Sequence, residues 1–167
     1  YRCWNWAGQT STYDNICFVN SDMIFAPGWL DNLLKHHDGI NIPCSRLVES
    51  GIMSSGQHGL SYNCGRSPST IDRNQFYSFA ESIKQDVANL GGLFMPVVFE
   101  KQRFVESGMY PEGNIYDTGV GKFGAGTFLT SGDAWYFIEE LGAKYGMKHI
   151  TAFDSIVYHV QEGEMRE

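Results

Sequence analysis

Asp22 closes the run Ile16-Cys17-Phe18-Val19-Asn20-Ser21-Asp22, in which an apolar strand gives way to oxygen-bearing side chains. A carboxylate at the carboxyl end of a buried strand stands where an open α/β sheet holds its ligands, and oxygen donors there suit a hard divalent cation. Asn20 offers a neutral oxygen two residues earlier; the plainer role for both is a strand-ending turn that caps the next helix. Asp133 follows Ser131-Gly132 at the start of an apolar-faced segment. A helix N-terminus favours an anion there, so Asp133 can be a cap, a general base, or both. His159 lies in the apolar stretch Ser155 to Val160, either as a neutral imidazole ligand to a metal or as a satisfied core residue. Gly91-Gly92 lets backbone approach a ligand closely and equally suits a helix C-cap.

The elements around these residues follow from periodicity. The first strand begins at Asn15, and Pro27-Gly28 then leads into a short helix with Trp29, Leu30, Leu33 and Leu34 on one face, ending near His37 to Gly39. Ile40 to Thr70 is rich in Ser, Gly, Asn and Pro, with Ser45 to Val48 as a short strand. Asp72 caps a helix expected to reach about Leu90, because Phe76, Phe79, Ile83, Val87 and Leu90 recur at helical spacing before Gly91-Gly92. Leu93 to Phe99 reads as a strand whose Pro96 demands an edge or a bulge. Glu100 to Ser107 makes one or two helical turns stopped by Gly108. The glycine-crowded segment Met109 to Thr130 suits a lid over a site. A helix from Asp133 carries Trp135, Phe137, Ile138 and Leu141, and a strand pair, His149 to Ala152 and Ser155 to Val160, ends the pattern. His36, His37, His58 and His149 read as surface or loop residues.

The 167 residues, 43% of them hydrophobic, are enough for one domain with a real core. A net charge of -7 and a pI near 5.1 argue against a nucleic-acid backbone as partner. No run of about 18 apolar residues is present to cross a bilayer as a helix. Cys3, Cys17, Cys44 and Cys64 lack C-x-x-C spacing, which favours reduced thiols and a cytoplasmic setting.

Taken in order, three blocks resemble the family 2 glycosyltransferases and their GT-A relatives. Asn20-Ser21-Asp22 followed by Ala26-Pro27-Gly28-Trp29-Leu30 is similar to their metal-binding D-x-D motif and its proline-started helix. Gly91-Gly92-Leu93-Phe94-Met95 through Phe104 to Gly108 looks like their strand, helix and glycine block. Gly132-Asp133, then Gly146 and Tyr158-His159, looks like their E-D helix and late histidine. The likeness covers about Trp4 to Gly163 and is thin between Ile40 and Gly91.

The resemblance implies an α/β fold: a GT-A-like open mixed sheet flanked by helices, one partial domain over 1–167, lacking the first nucleotide-binding βαβ half. It implies transfer of a sugar from a nucleotide-diphosphate donor, UDP-sugar foremost, to the hydroxyl of a carbohydrate or other acceptor, with inversion. Asp22 and His159 would hold Mn2+ or Mg2+, Asn20, Gly91 and Gly92 would contact the donor, and Asp133 would be the base. Asn20 stands where the family has its first aspartate and Gly132 where it has a glutamate, which removes one charge and one acceptor contact. The missing first half leaves open whether this chain acts alone. Two other readings fit the residues: a non-catalytic binding module of the same fold, and a metal-dependent phosphoesterase using Asp22, Asp133 and His159.

Overall fold

Two long parallel strands, β3 (Asn41–Glu49) and β7 (Lys148–His159), form the centre of the protein in a computed structural model that describes residues 1–50, 56–112, 133 and 136–160. Both are buried nearly throughout, as expected of strands covered on both faces. Around them the described chain runs α1 (Arg2–Thr10), β1 (Asn15–Phe18), β2 (Met23–Phe25), α2 (Trp29–Leu34), then β3, β4 (Gly59–Ser61), α3 (Arg73–Ile83), β5 (Ala88–Leu90), β6 (Val97–Glu100), α4 (Lys101–Glu106), a π-type helix α5 (Tyr136–Lys144), and β7. The curled sheet has the order β1-β6-β3-β7-β2, with β4 added on β3 and β5 on β7. Among the described residues only β3 pairs in parallel, with β4 and β7, and the other pairs are antiparallel, so the fold is mixed α/β.

A bulge in β7 divides this centre. Ser45 pairs with Ala152 and Arg46 with Ile156, which leaves Phe153, Asp154 and Ser155 outside the ladder. Each of the three has a partner: the Arg46 guanidinium lies 4.4 Å from the Phe153 ring centroid, Lys35 and His36 meet Asp154, and the hydroxyls of Ser155 and Ser45 are 2.7 Å apart. The halves of the strands then pack into different cores. Before the bulge, Ile42 and Cys44 join Phe18, Phe99, Phe104, Tyr110, Tyr136 and Phe137. Beyond it, Val48, Ile156 and Tyr158 join Cys64, Phe76 and Ala80 under α3. On the opposite face α2 buries Leu33 against Val98 and Ala152.

Several expectations change. Residues 2–10 form a helix that the sequence reading left unassigned, and its Gly8 lies so close to α4 that a Cβ there would sit 2.7 Å from Phe104. Asp72 does cap α3, its carboxylate accepting from the Gln75 N–H at 2.9 Å. The helix stops at Ile83, however, because the open edge of β7 takes residues 88–90 into the sheet, and Leu90 ends 71% exposed. The strand after Gly92 starts only at Val97, directly beyond Pro96, and the expected final strand pair is one continuous strand with a bulge. Ser45 to Val48 extends to a nine-residue central strand. The lid reading over Met109 to Thr130 lies outside the described residues from 113 on, as does the reading of Trp135. All four cysteines are free, with Cys44 and Cys64 buried. No helix among the described residues is long and apolar enough to cross a membrane.

Candidate functional site

Parallel strands β1, β3 and β7 all end on the same side, and the turn after β1 carries Asn20, half buried, and Asp22 to that edge. Two main-chain links fix Asp22: its carbonyl accepts from the Val160 N–H at 3.0 Å, and Met23 next to it pairs with His159. Strand register therefore puts the carboxylate against the imidazole. Asp22 Oδ2 is 3.2 Å from His159 Nε2, and both side chains are mostly enclosed, 19% and 15% exposed. The other carboxylate oxygen, Asp22 Oδ1, is buried without a hydrogen-bond partner among the described residues. An orphaned buried carboxylate oxygen costs free energy unless a cation or a donor completes it.

Glu49, which sequence reasoning did not single out, completes this corner. It ends β3, is register partner to His159, and turns Oε1 to the far ring nitrogen Nδ1 at 3.5 Å. A signal was present: Glu49 follows the expected strand Ser45 to Val48 as Asp22 follows β1.

Asp22 and His159 offer two ligand atoms whose spacing fits one divalent cation. Two ligand atoms bound to one such ion at right angles lie roughly 3 Å apart, near the observed 3.2 Å between Asp22 Oδ2 and His159 Nε2. The donor set mixes imidazole nitrogen with carboxylate oxygen, which favours a transition-metal dication such as Mn2+ over Mg2+.

Asp133 lies near Tyr1, Cys44 and Tyr110. Its main-chain N–H donates to the Tyr1 hydroxyl at 3.2 Å. Burial above all pushes the Cys44 thiol and the Tyr110 phenol well up, and the Asp133 carboxylate adds to both shifts. Tyr110 packs its ring 5.9 Å from that of Phe18, the last residue of β1. Tyr110 is held there by Asn5, which donates to its carbonyl at 2.7 Å and accepts from its N–H at 3.0 Å.

Gly91 and Gly92 sit elsewhere. The Gly91 carbonyl accepts from the Thr151 hydroxyl at 2.7 Å, and a Cβ on Gly92 would fall 1.8 Å from the same Oγ1. With φ of +80° and +134°, both positions require glycine for the close crossing over β7, at the opposite half of that strand from His159. The packing role accounts for them.

His149, expected at the surface or in a loop, donates from Nε2 to the Leu93 carbonyl at 2.9 Å between the rings of Phe94 and Phe137; desolvation lowers its pKa to about 4. His36 belongs to a second cluster, in which one ligand atom each from His36, Asp86 and Asp154 lie within 4.8 Å of one another. Lys35 already pairs with both carboxylates there, at 2.6 Å to Asp86 and in close contact with Asp154 Oδ2, off the axis of a well-directed hydrogen bond.

What the fold and site define is a mixed α/β protein with a histidine between two carboxylates at the strand ends. Beyond that class, the chain matches no protein-family model and no curated protein.

Proposed function

We propose that this chain is the catalytic and acceptor-binding half of a GT-A-type glycosyltransferase that moves a sugar from a nucleotide-diphosphate donor, UDP-sugar foremost, to an acceptor hydroxyl with inversion. The observation that carries the reading is the Asp22 carboxylate, set against His159 at the carboxyl ends of β1, β3 and β7 with one oxygen buried and unpartnered. The motif order in the sequence supports it independently.

In this reading Asp22 and His159 hold a divalent cation, Mn2+ before Mg2+, which when bound neutralises charge on the departing diphosphate. Asn20 lies beside them in the turn as a neutral donor contact. Asp133 takes the proton of the acceptor hydroxyl. The hydroxyl oxygen then forms its bond to the anomeric carbon from the face opposite the diphosphate. The bond from that carbon to the diphosphate oxygen breaks, and the nucleoside diphosphate leaves with the electron pair. Gly91 and Gly92 have no part in donor binding in this scheme.

The test is transfer from a panel of radiolabelled UDP-sugars to mixed oligosaccharide acceptors, with Mn2+ and with EDTA, using the longest natural form of the protein. Expected is Mn2+-dependent transfer, lost by more than 100-fold in both Asp22→Asn and Asp133→Asn with circular dichroism unchanged. Near-normal transfer by Asp133→Asn would remove its assignment as the base. Release of inorganic phosphate from simple esters, without transfer, would replace the reading with a phosphoesterase.

A further inference from the structure

Glu49 deepens the same centre, and the argument rests on the proposed role of Asp22 and His159 as cation ligands. Its side chain is 3% exposed, it is the strand-register partner of His159, and its Oε1 faces Nδ1 at 3.5 Å, while Asp22 Oδ2 faces Nε2 at 3.2 Å. The two carboxylates thus address opposite edges of one ring. Glu49 cannot share an ion with Nε2, because the imidazole stands between them.

A neutral imidazole has one N–H and one lone pair, and the partner at one nitrogen decides which nitrogen carries the proton. A carboxylate only accepts. With a cation seated between Nε2 and Asp22 Oδ2 the Nε2 lone pair is engaged, and the Glu49 carboxylate accepts the N–H that remains at Nδ1. At 3.5 Å the contact is long for a hydrogen bond, so charge and shared register do most of the steering. We infer that Glu49 is the positioning residue of this site: it fixes the tautomer and orientation of His159, so that Nε2 and the Asp22 carboxylate together form a preorganised two-atom seat for a divalent cation. Carboxylates behind metal-bound histidines generally act in this way, and their loss typically weakens metal affinity 10- to 100-fold.

The experiment is a Mn2+ titration of the full chain by electron paramagnetic resonance, comparing Asp22→Asn, Glu49→Gln and Glu49→Leu with the unaltered protein. It is joined to nitrogen-15 spectra of the histidine rings in saturating Mg2+, where His159 is assigned by the signal missing in His159→Gln. Expected are loss of tight binding in Asp22→Asn, a drop of about 10- to 100-fold in Glu49→Leu, and a smaller one in Glu49→Gln, which keeps an acceptor at Nδ1. The His159 ring should be protonated at Nδ1 in the unaltered protein and shift toward the other tautomer in Glu49→Leu. Unchanged affinity in Glu49→Leu with binding lost in Asp22→Asn would overturn the role of Glu49 and leave the cation centre standing. Weaker binding with an unchanged tautomer would also overturn it. Equal binding by Asp22→Asn and the unaltered protein would remove the centre itself. Should Glu49→Leu fail to fold, Glu49→Met, which also removes the acceptor at Nδ1, decides the matter by the same two readouts.

Discussion

Two histidines in this molecule each meet carboxylates, and the two arrangements differ in what balances the charge. At the α2 side, His36 lies 3.2 Å from Asp154 Oδ1, and Lys35 bridges Asp154 and Asp86. Asp154 first and Asp86 second hold the lysine pKa above its ordinary value, and the lysine holds Asp86 below its own. A cation is built into that cluster, so its carboxylates serve to clamp α2 onto the bulge of β7. At the strand ends, by contrast, Asp22 keeps one buried oxygen unpartnered next to the His159 ring. The lesson is that proximity of ligand-type side chains does not make a metal centre; an unmet demand for positive charge is the better sign.

The comparison can be broken most directly at the two aspartates. Asp22→Asn keeps the shape of the side chain and should cost more than 100-fold in Mn2+ affinity, read by calorimetry, while the melting temperature stays put. Asp154→Asn should do the reverse, leaving affinity intact, and equal ion loss in both variants would erase the distinction.

Acid sharpens the contrast through a third histidine. Burial depresses the folded pKa of His149 to about 4 from its usual 6.5. As pH falls, the unfolded chain therefore takes up that proton first. Stability contributed by the neutral ring is whole above about pH 6.5 and declines down to about pH 4, by about 3 kcal/mol in all. Urea unfolding across that range should show the slope, and His149→Phe should flatten it. Neither change requires the ion centre.

Smaller effects belong to the clamp. Asp154→Asn should destabilise by about 2 kcal/mol in urea titrations, as expected for removing one partner from a buried charged network. Lys35→Met should lower the melting temperature modestly, and Zn2+ should recover part of the loss by taking the place of the ammonium beside His36, Asp86 and Asp154. Zinc without effect on that variant would mean that these three groups lack the geometry to hold an ion at all.

Local chemistry in the sequence was enough to locate β1, the helix after Pro27-Gly28, the Asp72 cap and the turns stopped by Gly108. Each rests on neighbours within a few residues, where capping, glycine conformation and periodicity act. It also marked Asp22 and His159, because a polar residue ending an apolar strand is visible in one dimension. Their contact, however, depends on Met23 pairing with His159 across the sheet. Helical spacing misled at Val87 and Leu90, since the free edge of β7 offered their backbone hydrogen bonds that no local pattern encodes. Glu49, His149 and Asp154 gained their roles only from strand pairing: a register of β3 on β7, a crossing loop and a bulge place each of them, and such alignments join residues about 60 to 110 positions apart whose mutual preference is settled when the sheet assembles.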